Sequence, residues 1–201
     1  MSAAPRPDNG DGNTPLSEDE TEGLIPTHIT TRAELNGWEA ENISEAVEWA
    51  STRSRDVLDQ RVLRTLHQRM FAKTWRWAGK YGTSEKSISR FAWSEVPRLV
   101  NDLLANTRVQ HAHAKHSPEA LDELAARFHH QLVLIHPWPN GNGRHARLAT
   151  DLLLRRWGRP PFSWGSATPH ADGAALRTSY LSALRAADAG SVDALVRFVR
   201  T

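Results

Sequence analysis

The chain has 201 residues, 25 lysines and arginines against 23 acids, a formal charge of +2, 39% hydrophobic residues and no cysteine. That length suits about one domain with a sizeable core. No run approaches the ~18–20 consecutive apolar residues of a membrane span, and a chain without cysteine excludes a disulfide framework. Residues 1–22 carry one basic side chain (Arg6) and six acids, with little to bury. This predicts a disordered or loosely attached acidic tail. It also leaves 24 of the basic and 17 of the acidic residues for the remainder. Those arginines are scattered at helical spacing rather than gathered in one block, which argues against nucleic acid as the partner. The polar N-terminus has no signal-peptide core, so the expected location is cytoplasmic.

Residues 23–57 read as an N-terminal arm. Pro26 and the β-branched run Ile29-Thr30-Thr31 suggest an extended entry, after which Thr31 N-caps a helix over 32–38 with Glu34 as capping-box partner. Apolar residues recur at three- and four-residue steps over 42–50 and 59–71, predicting two amphipathic helices. The second shows the spacing clearly in Asp59, Val62, Leu63, Leu66 and Met70. Glycines near 79 and the alternation of Lys86-Ser87-Ile88-Ser89 predict a short hairpin within 79–90. Helices resume over 94–106 and 118–135, a Pro/Gly-dense loop covers 158–170, and helices over 172–187 and 192–199 close the chain. The predicted fold is all-α with one small β-hairpin, residues 58–201 forming the core domain.

The segment from His136 to Arg147 concentrates the chemistry. Pro137 disfavours helical geometry at His136, so the preceding helix should end there with the imidazole at its lip. Gly141 and Gly143 permit positive φ and close backbone approach, letting N–H groups converge on an anion. A second helix should begin near Asn142 or Gly143, its unpaired N–H groups and dipole favouring phosphate. Arg144 and Arg147 lie three apart and project from one face of its first turns. A proton acceptor, an anion cradle and two fixed cations are the parts of a phosphoryl-type transferase.

These residues resemble the signature of the Fic (Fido) family, His-x-Phe-x-Asp/Glu-Gly-Asn-Gly-Arg-x-x-Arg. His136, Gly141, Asn142, Gly143, Arg144 and Arg147 match, Trp138 replaces the usual Phe, and Asn140 replaces the usual acid. The segments Thr74–Tyr81 and Arg177–Leu184 are similar to other parts of the family, so the likeness spans roughly 40–200. Thr14-Pro15-Leu16 with Glu22–Pro26 resembles the branch called mobile mystery protein B. The resemblance implies AMP transfer from ATP to a Ser, Thr or Tyr hydroxyl of a target protein. His136 would be the base, Asn142 and the loop would hold the α-phosphate, and Arg144 and Arg147 would bind the β/γ end. It implies Mg²⁺ at position 140, weakened because Asn140 is uncharged. It makes Thr83, Ser84, Glu85, Lys86, Ser87 and Ile88 a target-docking flap. The branch implies a co-encoded DNA-binding regulator or antitoxin. Many members carry an inhibitory Ser/Thr-x-x-x-Glu-Gly/Asn helix; Glu41-Asn42 fits its last two positions with Gly37 in the Ser/Thr place, which implies a Glu41–Arg147 pair that competes with ATP.

Other readings stand beside this one. Transfer of a different phosphoryl-type group on the same scaffold is an enzymatic alternative, and a nucleotide-sensing module blunted by Asn140 is a non-enzymatic one. Zinc-dependent hydrolysis would draw on the histidines, of which His111, His113 and His116 read as residents of a solvated linker. Trp75, Trp77 and Trp93 read as core anchors, and Tyr180 either lines the nucleotide pocket or packs between helices.

Overall fold

The computed structural model describes residues 22–52, 55–82, 90–166 and 173–201. The proposed flap, Thr83 to Ile88, and the tail over 1–21 lie outside the described residues. The described residues form seven α-helices: α1 Arg32–Ser51, α2 Gln60–Phe71, α3 Val96–Ala114, α4 Pro118–Ile135, α5 Asn142–Arg156, α6 Gly173–Asp188 and α7 Asp193–Arg200. Among the described residues there is no strand; one antiparallel bridge joins Leu24 to Trp75. It is secured by Ile25 N–H donating to Thr74 O (2.8 Å) and Arg76 N–H to Gly23 O (2.9 Å).

Local signals explain most helix starts. Thr31 caps α1 in a full capping box with Glu34, Asp59 caps α2, and Ser117 caps α4 with Pro118 at its first position. Three expectations are corrected. The segments read as 32–38 and 42–50 are one continuous helix, because Leu35, Glu39, Asn42, Ala46 and Ala50 form a single buried stripe that outweighs the helix cost of Gly37. The helix expected over 94–106 starts with a 3₁₀ turn and runs on to Ala114. His111 and His113 therefore sit in its last turn, not in a linker.

α4 is buried on nearly every side and packs between α3, α5 and α7. Its partner α5 also rests on α2, and α1 lies along α2. One core combines Leu35, Ala46, Leu63, Leu66, Met70, Phe71, Phe128, Leu132 and Leu153. A second, behind it, joins Ala125, Leu154, Phe162, Leu195 and Val199. The loop between α4 and α5 thus springs from the two most enclosed helices, which fixes where its side chains can go. No helix among the described residues is long and apolar enough to cross a membrane.

Candidate active site

α4 ends at His136, whose backbone is left-handed (φ 52, ψ 57). The right-handed conformation is disfavoured by Pro137, so this residue terminates the helix and carries its ring to the lip. Partial burial lowers the His136 pKa from its usual value, opposed by a hydrogen bond to the Val133 carbonyl. The ring is therefore neutral at pH 7, as a proton acceptor must be.

The loop is anchored by Trp138, which is fully buried. His67 stacks on its ring (centroids 4.3 Å, 18° between planes) and Tyr81 does so as well (4.9 Å, 26°). The indole N–H that a phenylalanine would lack donates to His145 Nδ1 (3.2 Å), while His145 Nε2–H donates to Leu63 O (3.0 Å). A buried indole needs such a partner, so the Trp at this position is matched by the imidazole seven residues later. Burial lowers the His145 pKa to about 4, which keeps this acceptor neutral.

Gly141 then turns the chain into α5. Its φ is +77, and a Cβ there would lie 2.5 Å from Phe71 Cζ. Gly141→Ala combines a left-handed alanine with overpacking against a buried ring, so an expected loss of about 2–5 kcal/mol should appear as a lowered thermal midpoint. No side chain caps α5, so the N–H groups of its first turn are available to an anion. Gly143 lies in that turn, and a Cβ on it would meet nothing within 4 Å.

Both asparagines of the loop are engaged by backbone groups of the loop itself. Asn142 is buried, and its carboxamide brackets Trp138: Oδ1 accepts from Trp138 N–H (3.0 Å) and Nδ2 donates to Trp138 O (2.7 Å). It shapes the loop from within. Asn140 Oδ1 accepts from Gly141 N–H (2.6 Å). An uncharged oxygen already engaged in this way does not fit a protein-held Mg²⁺, which takes charged oxygen ligands. Among the described residues, no three His, Cys, Asp or Glu side chains converge as a metal site would require.

The arginines leave the same helix face but meet different partners. Arg144 Nη1 donates to Glu39 Oε2 (2.5 Å), and its guanidinium lies 5.1 Å from the Phe71 ring centroid. Arg147 lies 4.5 Å from the Tyr180 ring and 5.8 Å from that of Trp164. Tyr180 OH bonds to His129 Nε2 (2.8 Å), so Tyr180 packs between helices and supports the second motif arginine at once. Glu41, the expected inhibitory acid, is exposed; the acid brought to the motif is Glu39, 3% exposed, which also accepts from Trp75 Nε1 (2.7 Å). Two residues is about 200° around a helix, so only one of the two acids can face inward. Of the expected core anchors, Trp75 is buried while Trp93 is half exposed.

Glu39, His67 and His145 were not singled out in the sequence. The signal for His67 was its place among Leu63, Leu66 and Met70, and for Glu39 its register with Leu35, Asn42 and Ala46.

Comparison with known proteins places the site in a known domain: residues 57–154 match the Fic/DOC family model. That stretch is a Fic domain. The protein adenylyltransferase fic-1 of Caenorhabditis briggsae is 35% identical to it over 124 residues, 61% of this chain and 22% of the relative. A uridine 5'-monophosphate transferase of Xanthomonas campestris pv. campestris is 40% identical over 102 residues, 46% of this chain and 18% of the relative. The Fic domain thus covers about a fifth of the length of these curated relatives. BepC, a VirB-translocated effector from Bartonella tribocorum solved with bound AMPPNP, has a similar fold: TM-score 0.67, 18% identity, 92% of this chain and 97% of that one covered. The position-138 anchor and position-140 acid of the Fic signature are the two places where this Fic domain departs. Trp138 is accommodated by its hydrogen bond to His145 on α5, and Asn140 by one inside the loop.

Proposed function

We propose that this Fic domain is a protein adenylyltransferase that moves AMP from ATP to a Ser, Thr or Tyr hydroxyl of a target protein. The observation that carries the reading is the uncapped start of α5, opened at Gly143, just beyond a neutral imidazole at the end of α4. The hydroxyl gives its proton to His136 and its oxygen bonds to the α-phosphorus. The bond from that phosphorus to the β-bridging oxygen breaks, and pyrophosphate leaves with the electron pair. First-turn N–H groups of α5 stabilise the charge that builds on the α-phosphate. Arg144, once released from Glu39, and Arg147 hold the β/γ end in line. Any Mg²⁺ arrives with the triphosphate rather than on a side chain of the loop.

In this reading the described conformation is a restrained one, with Glu39 occupying the cation that a phosphate would use. Residues 83–88 are the docking flap for the target. The cytoplasm, where ATP is plentiful, is the place of action, and the likeness of 14–16 and 22–26 to the mobile mystery protein B branch supports a co-encoded DNA-binding regulator.

Incubation with ATP labelled at the α- or γ-phosphate tests the proposal. Label retained on protein from the α-position alone is expected. Retention from γ alone means phosphorylation, and ATP binding with neither retained means a sensor, the outcome that the uncharged Asn140 favours. UTP labelled at α belongs in the same experiment, because a uridylyl-transferring relative is among the similar proteins.

A further inference from the structure

His67 lies in the middle of α2, fully buried, with both ring nitrogens committed to main chain. Nδ1 accepts from Gly79 N–H (2.9 Å), and Nε2 lies 3.2 Å from the Asn140 carbonyl. A donor faces one nitrogen and an acceptor the other, so the tautomer protonated at Nε2 satisfies both. The peptide that joins Asn140 to Gly141 is thereby gripped at both ends: His67 holds its oxygen, and Asn140 Oδ1 takes its N–H (2.6 Å). This is the last peptide before the turn into α5.

The other partner of His67 belongs to a segment laid against the loop. Tyr81 stacks on Trp138, and Gly82 N–H donates to Pro137 O (3.0 Å). Gly79 itself is left-handed (φ +74), and a Cβ on it would lie 2.8 Å from Gln68 Cβ. Its N–H is thus presented to His67 by a backbone that only glycine accommodates easily. His67 hydrogen-bonds to the main chain of both segments.

We propose that His67 is a positioning residue for the transfer reaction, holding the Asn140–Gly141 peptide in the orientation that presents the α5 N–H groups to the triphosphate and tying it to residues 79–82. The inference rests on the reading of the α5 N-terminus as the nucleotide seat. Without the Nε2 donor the peptide can rotate, and the N–H groups that follow lose their common aim. The effect belongs in kcat, because alignment matters most where charge develops. Burial pushes the His67 pKa down to about 2, so the ring stays neutral and adds no step to the pH profile.

Two substitutions separate positioning from folding. His67→Phe keeps an aromatic face on Trp138 but has no donor; His67→Gln carries an amide N–H that can reach the Asn140 carbonyl. At matched thermal midpoints, His67→Phe should lose about 10–100-fold in kcat, somewhat less than removal of a direct oxyanion donor. KM for ATP should change by less than about 3-fold, the acid limb of the profile should stay in place, and His67→Gln should recover much of the loss. A folded His67→Phe with undiminished kcat overturns the proposal, as does a Gln variant no better than Phe. Should neither variant fold, histidine-¹⁵N spectra of the unaltered protein decide: the His67 Nε2–H resonance should be protected and should shift when ADP is added. A resonance unmoved at saturating ADP overturns the proposal alone. Unaltered protein that binds neither ATP nor ADP overturns the nucleotide seat, and this role with it.

Discussion

Replacing His136 should lower AMP transfer by about 10²–10⁴-fold, the span that a positioned acid–base group contributes, while ATP binding changes little. His136 belongs to the end of α4 and the N–H groups that would carry the phosphates to the first turn of α5, so its removal should take away proton transfer and not binding. The backbone there is left-handed (φ 52), a conformation that asparagine tolerates better than alanine. His136→Asn is thus the cleaner variant and His136→Ala its companion. The pH dependence carries a sign. Burial lowers the His136 pKa, so the neutral, active form persists below the ordinary imidazole value of about 6.5. Transfer should be level near pH 7 and fall as pH drops through a midpoint below 6.5, and single-turnover labelling across pH measures it. A midpoint above 6.5, or an acid limb that survives in His136→Asn, would assign the proton to another group.

The second large effect is a gain. Glu39→Gln should raise self-labelling by roughly 10–100-fold, because it removes the charge that competes with phosphate for Arg144. A hydrogen bond between charged groups contributes about 1.5–3 kcal/mol, and each ~1.4 kcal/mol is tenfold in an equilibrium. The Arg144 side chain is 40% exposed, so solvent screening places the effect toward the lower end. Glutamine retains an oxygen to accept the Trp75 indole N–H, which limits the structural cost. The control is Glu41→Gly: with Glu41 exposed on the far side of α1, labelling should stay at the parental rate. A rise with Glu41→Gly and none with Glu39→Gln would restore Glu41 to the inhibitory role and make the Glu39–Arg144 pair a structural one.

The same pair illustrates how tertiary packing reassigns roles that a motif leaves open. A pattern match favours Glu41 because Asn42 follows it, yet α1 turns a stripe of Leu35, Glu39, Asn42, Ala46 and Ala50 inward, and that register is set by α2 beneath it. Similarly, Asn142 in a phosphate loop reads as a ligand until both ends of its carboxamide are found on the Trp138 backbone. Asn140 reads as a weak metal ligand until its oxygen is found on Gly141 N–H.

The order of helices, the proline that ends α4, the glycine that opens α5 and the placing of His136, Arg144 and Arg147 around that bend were all legible in one dimension. Each depends on restrictions local to a few residues: backbone sterics at Pro and Gly, capping at Thr31, and the apolar period of each helix. Which acid meets Arg144, and the imidazoles that hold the loop, were decided only in three dimensions. Glu39 lies 105 positions from Arg144 and His67 lies 73 from Asn140. Contacts across such separations arise from how whole helices pack, and a buried polar side chain takes whatever partner that packing leaves within reach.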